Sequence, residues 1–247
     1  MFNLIKNAII VGCLIFILGC GANKALINKK LTNHQSNPPT EIVVLQPDVK
    51  VFRFTAGGAV EEVPEWGQMS TQSFSSAINL LQKERQDIQI KNHPQLTAEE
   101  QKILDEHIAL YRVVGPAAVN YGAMWDHKKK NFDYSIGPGL SFLREKINSD
   151  TILFINAVDV RSTGGRAALA VGVAILGIGI PMGGSNIYMS IVELETGDIL
   201  WSSNDISPPN FDNIQSLKKY FGSSVDDYLA FYQPSKKKVA QSKKQSN

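Results

Sequence analysis

Runs of apolar residues predict the central strands of one β-sheet. Residues 151–160 (TILFINAVDV) are apolar almost without interruption, a pattern typical of a strand that is covered on both faces. Residues 187–194 and 199–203 predict two more strands of the same sheet. The short connection between these two contains Gly197, which is free to take a positive φ, so the pair is expected to form a hairpin.

Two shorter strands are predicted closer to the N-terminus, at 41–46 and 49–54. Pro47 and Asp48 lie between them and predict a break in the strand. The next segment, 55–67, contains two adjacent glycines and a proline, and this composition predicts a loop.

Two long helices are predicted between the strands, because apolar residues recur there at three- and four-residue spacing. The first covers 70 to about 89. The second begins at Thr97, and Glu100 three residues later completes the pattern of a capping box. Gly115 and Pro116 are expected to end this helix.

The remaining helical patterns complete the fold-class prediction. A short amphipathic helix is expected to end near Asn148, and two helical faces, separated by Gly222, are expected within 210–233. Strands and helices therefore share one domain at 41–233. We predict the α/β (α+β) class, with a mixed β-sheet packed by amphipathic helices.

A glycine-rich insertion, 162–185, separates the strand at 151–160 from the hairpin and carries no charge after Arg166. Its apolar segment, 167–182 (AALAVGVAILGIGIPM), allows three interpretations: a buried or self-associating element, a membrane-contacting element, or a spanning helix. The spanning helix is the weakest of the three, because the segment is short and contains three glycines and a proline. The residues predicted to make the contact are Ala167, Leu169, Val171, Val173, Ile175, Leu176, Ile178, Ile180 and Met182.

The N-terminus has the features of a secretory signal. Lys6 precedes a short apolar run at 8–18, which is followed by Gly19 and Cys20. The sequence ILGC at 17–20 resembles the lipobox of bacterial lipoproteins. This resemblance implies that the 1–19 signal peptide is cleaved after Gly19 and that the sulfur of Cys20 receives a diacylglycerol, which serves as the acyl anchor. By resemblance to lipoprotein sorting, Gly21 after the cysteine favours the periplasmic face of the outer membrane.

Two polar segments flank the predicted domain. Residues 20–40 are expected to be the lipidated cysteine and a flexible tether. Residues 234–247 contain five lysines without apolar periodicity and are expected to be a basic, disordered tail. The formal net charge of +2 is too small to indicate a nucleic-acid partner. Cys13 and Cys20 are the two cysteines, so the predicted domain has no disulfide.

Chemistry-bearing residues are few, and no enzyme motif is present. His107 lies on the apolar face of the second helix, where it is read either as a base or ligand or, preferably, as a hydrogen-bonded core histidine. The segment 117–135 is predicted to be irregular, and an envelope hydrolase using His127 or Asp133 in the loop 125–134 is the enzymatic alternative. We expect no catalytic residue, no metal site and no cofactor.

The order of elements, with Val158-Asp159-Val160 in one strand and 196–201 (TGDILW) in the later hairpin, resembles the periplasmic domains related to CsgG and to the amino-terminal domain of TolB. The resemblance extends over 70–232 and implies a mixed sheet packed by helices. In CsgG, extra hairpins assemble into an oligomeric secretion pore, whereas the insertion here is one glycine-rich stretch. No catalytic residue is implied by this family.

The sequence therefore predicts a lipid-anchored envelope protein that acts as a non-catalytic binding or assembly module. Its expected partners are membrane lipid, through the acyl anchor, and an envelope protein or a second copy of the chain, through the insertion. The alternatives are the envelope hydrolase and a membrane-inserting component of a secretion complex.

Overall fold

The computed structural model describes residues 25–33, 41–85, 89–91, 95–125, 127 and 131–230. Within them the strands form one mixed sheet. They are β1 (Leu26–Ile27), β2 (Glu41–Val44), β3 (Asp48–Phe54), β4 (Val60–Glu62), β5 (Gln89–Lys91), β6 (Thr151–Ser162), β7 (Gly183–Glu193) and β8 (Ile199–Asp205). The helices are α1 (Lys29–Asn33), α2 (Pro64–Glu84), α3 (Ala98–Met124), α4 (Leu143–Ile147), α5 (Gly164–Ala174) and α6 (Ile214–Leu229).

Strand β6 is the centre of the sheet, as its continuous apolar run predicts. On one side it pairs antiparallel with β7 along its whole length up to Arg161, and β8 and β1 follow β7 outward. On the other side it pairs in parallel with β2 and then with β3. Pro47 stands between those two strands, where a residue without an N–H cannot continue the ladder. Strands β5 and β4 lie outside β2 and β3, respectively.

Helices cover both faces of the sheet, which confirms the predicted fold class. Helices α2 and α6 cover one face, and the buried side chains between them and the sheet include Phe74, Phe221 and Trp201. Helices α3 and α4, together with the segment 131–142, cover the other face around Leu104 and Tyr111. Each face therefore has its own apolar core, and β6 contributes side chains to both.

The predicted flexible tether is wrong for residues 25–33. Leu26 and Ile27 form β1, which extends the sheet beyond β8, and α1 follows directly. Leu26 and Leu31 are both buried, each in a different core cluster. Two leucines are too few to form a periodic apolar pattern, so the sequence does not indicate this strand. The strand is stable only because it pairs with the sheet that the rest of the chain forms.

The predicted loop at 55–67 is also shorter than expected. Residues 60–62 form β4, which pairs antiparallel with β3, and α2 begins at Pro64, several residues before the predicted start. Proline is favoured in the first helical turn because its missing N–H would be unpaired there in any case. Residues 89–91, predicted as helix end and linker, form strand β5.

Helix α3 does not end at Gly115 and Pro116 but continues to Met124, so residues 117–124 are not irregular. Its capping box at Thr97 and Glu100 is confirmed. The helix continues because Ala118 and Val119 are buried beyond the proline, and this burial offsets the hydrogen bond that Pro116 cannot donate.

Helix α6 likewise runs through Gly222 without a break. Its buried residues Phe221, Val225 and Tyr228 lie on one continuous face. A Cβ at position 222 would make an ordinary contact with α2, 3.4 Å from Cδ1 of Leu81. Gly222 is thus an interior residue of the helix, and a one-dimensional pattern cannot distinguish such a glycine from a helix end.

Candidate functional site

The insertion projects from one end of the sheet, where β6 ends and β7 begins. Thr163 caps helix α5: its side-chain oxygen accepts a hydrogen bond from the backbone N–H of Arg166, at 3.3 Å. The backbone N–H of Thr163 donates to the carbonyl oxygen of Phe54, at 3.0 Å. The start of the insertion is therefore attached to the end of β3.

Arg166, the only charged residue between 163 and 185, holds the base of the insertion together. Its side chain is 5% exposed. Nε donates to the carbonyl oxygen of Pro181 at 2.7 Å, and a terminal nitrogen donates to the carbonyl oxygen of Thr55 at 3.2 Å. The guanidinium carbon lies 3.3 Å from the centroid of the Phe54 ring, a cation–π geometry. One buried cation thus joins both ends of the insertion to the β3–β4 loop.

Beyond this base, the apolar segment is exposed, so the interpretation of it as a buried element is wrong for the chain by itself. Helix α5 makes little contact with the other elements. Ile175 and Leu176 are 83% and 74% exposed. Of the other residues predicted to make the contact, Leu169, Val171, Ile178 and Met182 are exposed, and Ala167, Val173 and Ile180 are half-buried.

An exposed apolar surface of this kind needs a physical explanation. Scattered single apolar residues are normal on a protein surface, but a contiguous group of large ones marks a contact site. Here residues 174–179 are exposed without interruption, and no charge lies anywhere in 167–182. Helix α5 has 11 residues, and among the described residues no helix is both long and apolar enough to cross a bilayer.

The enzymatic alternative concerned the loop 125–134, of which 125, 127 and 131–134 are described. Trp125 and His127 are exposed, with ring centroids 6.2 Å apart, and Asp133 is also exposed. Phe132 is 1% exposed and belongs to the core. The structure thus places part of the loop in the core and part at the surface, and a catalytic role for His127 or Asp133 stays a prediction.

His107 is half-buried and hydrogen-bonded, in the way expected of a structural histidine. Its Nδ1 lies 2.8 Å from the carbonyl oxygen of Ile103, and its Nε2 lies 3.3 Å from the carbonyl oxygen of Pro138. The ring therefore links α3 to the segment that leads into α4. No group of three His, Cys, Asp or Glu side chains suited to a metal ion occurs among the described residues.

Sequence reasoning singled out the apolar segment but missed what holds it. In the sequence, Arg166 only marks where the uncharged part of the insertion begins. The sequence does contain an indication of its importance, because Arg166 is the one charged residue in a long uncharged stretch. Its partners Phe54, Thr55 and Pro181 are distant in sequence, so no local pattern indicates them. Gly19 and Cys20, the predicted lipidation site, lie outside the described residues.

Comparison of the chain with protein-family models finds no match, and comparison with curated proteins finds no relative. The resemblance to the domains related to CsgG and TolB therefore stays a prediction that rests on the strand and hairpin residues quoted above. Any function has to be argued from the chain itself.

Proposed function

We propose that the protein is a lipid-anchored lipoprotein of the cell envelope that acts by binding rather than by catalysis. Its anchor is an acyl chain on Cys20, and its location is the periplasmic face of the outer membrane. The apolar segment 167–182 is its contact surface. The motif at 17–20 supports the anchor, and the described structure supports the contact surface.

One observation carries this proposal: the apolar segment is exposed, yet its base is firmly held. An apolar segment without a role would be expected to fold back onto the domain, because burial of each large aliphatic side chain is worth about 1.5–3 kcal/mol. Arg166 and Thr163 instead fix the segment at the end of the sheet, with Ile175 and Leu176 exposed. A held apolar surface favours a partner that covers it.

The anchor is tested by mass spectrometry of the purified native protein. We expect an N-terminal peptide that begins at Cys20 and carries acyl groups. A peptide that begins at Met1 with an unmodified Cys20 would refute the anchor.

The contact surface is tested in the intact cell with a photo-cross-linking amino acid at Ile175. The matched control places the same group at Glu195, an exposed residue of the β7–β8 turn at the opposite end of the sheet. We expect adducts from position 175 and far fewer from position 195. Equal yields at the two positions would contradict the proposal.

Removal of the insertion provides a second test, because the sheet itself can close without it. Arg161 and Gly183 lie directly opposite each other in the β6–β7 ladder. Replacement of 162–182 by Asn-Gly therefore converts the insertion into an ordinary two-residue hairpin. We expect this variant to fold and stay membrane-associated but to lose the cross-linked complexes of the native protein. Unchanged complexes would show that the contact lies elsewhere.

A further inference from the structure

Strand β1 enters the sheet from the same end as the insertion. It pairs antiparallel with β8, with Leu26 opposite Ser202 and Ile27 opposite Trp201. Asp205, the last residue of β8, lies opposite Ile187 of β7. Gly183, the first residue of β7, therefore lies farther toward the end of the sheet that carries the insertion. The direction of β1 therefore places Ala25, the first described residue, on the side of Leu26 that faces the end of the sheet with the apolar segment.

Chain length brings Cys20 within reach of that end. Six residues separate Leu26 from Cys20, and an extended chain spans at most about 3.6 Å per residue, which gives about 21 Å. Leu26 pairs with Ser202, and Ser202 pairs with Ser190 of β7. Gly183 lies seven residues from Ser190 along β7, and this separation corresponds to about 23 Å at 3.3 Å per residue. A fully extended chain from Leu26 thus brings Cys20 to within about 2 Å of the level of the insertion's base, and the apolar segment extends beyond that base.

The loop next to the apolar segment also carries no charge. Residues 54–60 contain no charged side chain and connect β3 to β4 at the same end of the sheet. They adjoin α5, since a Cβ at Gly165 would lie 3.5 Å from that of Ala56. Val60, at the end of this loop, is 53% exposed, and Ile206, directly after β8, is 65% exposed. Transfer of residues 54–60 themselves into an apolar medium therefore requires no desolvation of a charged side chain, whereas the exposed ion pair between Arg53 and Glu61, which flank this loop, has to remain in contact with water.

Size decides how such a surface meets a membrane. Helix α5 has 11 residues and is about 16 Å long, against about 30 Å for the hydrocarbon core of a bilayer. It is too short to span, and it suits insertion into the interface of one leaflet.

We propose that the covering partner of the apolar segment is the lipid bilayer into which the acyl chain of Cys20 inserts. This inference rests on the lipid anchor of the proposed function and names the partner of its contact surface. The anchor and the apolar segment form two membrane contacts at one end of the domain, and the second contact adds buried apolar area to the attachment that the anchor provides. The domain then stands on the membrane by this end, with the β7–β8 turn directed away from the bilayer.

The test uses the full-length protein from bacterial membranes, reconstituted into phosphatidylcholine vesicles at low protein density. Ile175→Cys carries an environment-sensitive fluorophore, and Glu195→Cys is the matched control. Under the proposed processing Cys13 is removed and Cys20 is acylated, so the introduced cysteine is the one that reacts. A nitroxide on the lipid acyl chains reports insertion, and aqueous iodide reports exposure.

We expect the label at position 175 to be quenched several-fold more by the nitroxide than the label at 195, and to be shielded from iodide. Iodide quenching of both labels to the same extent would overturn the inference. Shielding at 175 without nitroxide quenching would also overturn it, because that combination indicates contact between copies of the chain. The N-terminal mass of the same sample tests the anchor separately: an acylated Cys20 with an iodide-accessible position 175 refutes only the docking.

A variant with an added charge tests whether the fluorophore enters the bilayer by its own hydrophobicity. Leu176→Glu, combined with the label at 175, alters a side chain that is 74% exposed, so the fold is expected to persist. We expect this variant to lose most of the nitroxide quenching, since a carboxylate is costly to place in hydrocarbon. Undiminished quenching would show that the fluorophore inserts by its own hydrophobicity and would overturn the inference.

Discussion

Nε of Arg166 donates a hydrogen bond of 2.7 Å to the carbonyl oxygen of Pro181, across the base of the apolar segment. Both ends of the segment thus share one buried cation, which also bonds to Thr55 and lies over the ring of Phe54. A segment with few other contacts therefore holds a fixed position at the end of the sheet.

The first prediction concerns this arginine. Arg166→Ala removes charge-assisted hydrogen bonds to two carbonyl groups, and we expect it to lower the free energy of unfolding by about 2 kcal/mol. We also expect faster protease cleavage within 167–182, because the base no longer restrains the segment. Urea unfolding and limited proteolysis measure the two effects. Arg144→Ala, at an exposed arginine that pairs with Asp150 and Glu195, is the control and should change neither one measurably. Cleavage at the native rate in Arg166→Ala would contradict the restraint.

The second prediction concerns a buried chain of hydroxyl groups between α3 and the sheet. Tyr111 donates to Ser190 at 2.8 Å, Ser190 lies 2.7 Å from Ser202, and Ser202 donates to the carbonyl oxygen of Met189 at 3.2 Å. Burial raises the pKa of Tyr111, so the phenol keeps its proton and acts as the donor. Tyr111→Phe is expected to lower the free energy of unfolding by about 1–2 kcal/mol. The change removes the donor to Ser190 at a buried position, where water cannot take the place of the lost hydroxyl group.

A double-mutant cycle separates this hydrogen bond from packing. We expect Tyr111→Phe combined with Ser190→Ala to cost less than the sum of the single changes, because the second change removes the acceptor that the first deprives of its donor. Strict additivity in urea unfolding would show that the two hydroxyl groups do not interact.

The third prediction concerns Trp201, which is 2% exposed and whose Nε1 has no hydrogen-bond partner among the described residues. It lines a small apolar cavity of about 20 Å³ between the sheet and α6. Trp201→Phe removes the energetic cost of this buried indole N–H without an acceptor, but it also removes some packing contacts. We therefore expect the free energy of unfolding to fall by no more than about 1 kcal/mol. Trp201→Ala should cost about 3–5 kcal/mol.

The comparison of the two variants by urea unfolding is the check. A Trp201→Phe variant as unstable as Trp201→Ala would mean that Nε1 makes a strong hydrogen bond, for example to a water in that space.

The fourth prediction is a pH dependence at the start of α3. The pKa of Glu100 lies below its ordinary value of 4.5, because the backbone N–H of Thr97 donates to its carboxylate and Lys146 pairs with it. A lowered pKa means that the folded state favours the ionised form. This contribution to stability is therefore complete above pH 4.5 and is lost as the pH falls through the lowered pKa.

Glu100→Gln should accordingly destabilise the protein at neutral pH and have little effect at pH values below the pKa of Glu100. Glutamine retains an oxygen that accepts from Thr97, so the difference reports the charge. Urea midpoints across the acid range provide the measurement, with Glu99→Gln in the same helical turn as the control. A penalty that does not vary with pH would contradict the assignment.

Several elements could be read from the sequence because their cause is local. The continuous apolar run of β6, the capping box at Thr97 and the turn at Gly197 each depend on neighbouring residues. Gly197 has φ of +73°, which confirms the expected hairpin turn. The exposure of the apolar segment could not be read in this way, since an apolar run looks the same in a core and on a surface.

The sequence by itself determined the mixed sheet with amphipathic helices, because periodicity and capping act over a few residues. It also supplied the expectation of an acylated Cys20, which stays a prediction. Only the tertiary structure decided that α3 passes through Pro116, that Leu26 and Ile27 join the sheet, and that the apolar segment is held exposed by Arg166. These features depend on contacts between residues far apart in the chain, and their energies appear only when the fold brings those residues together.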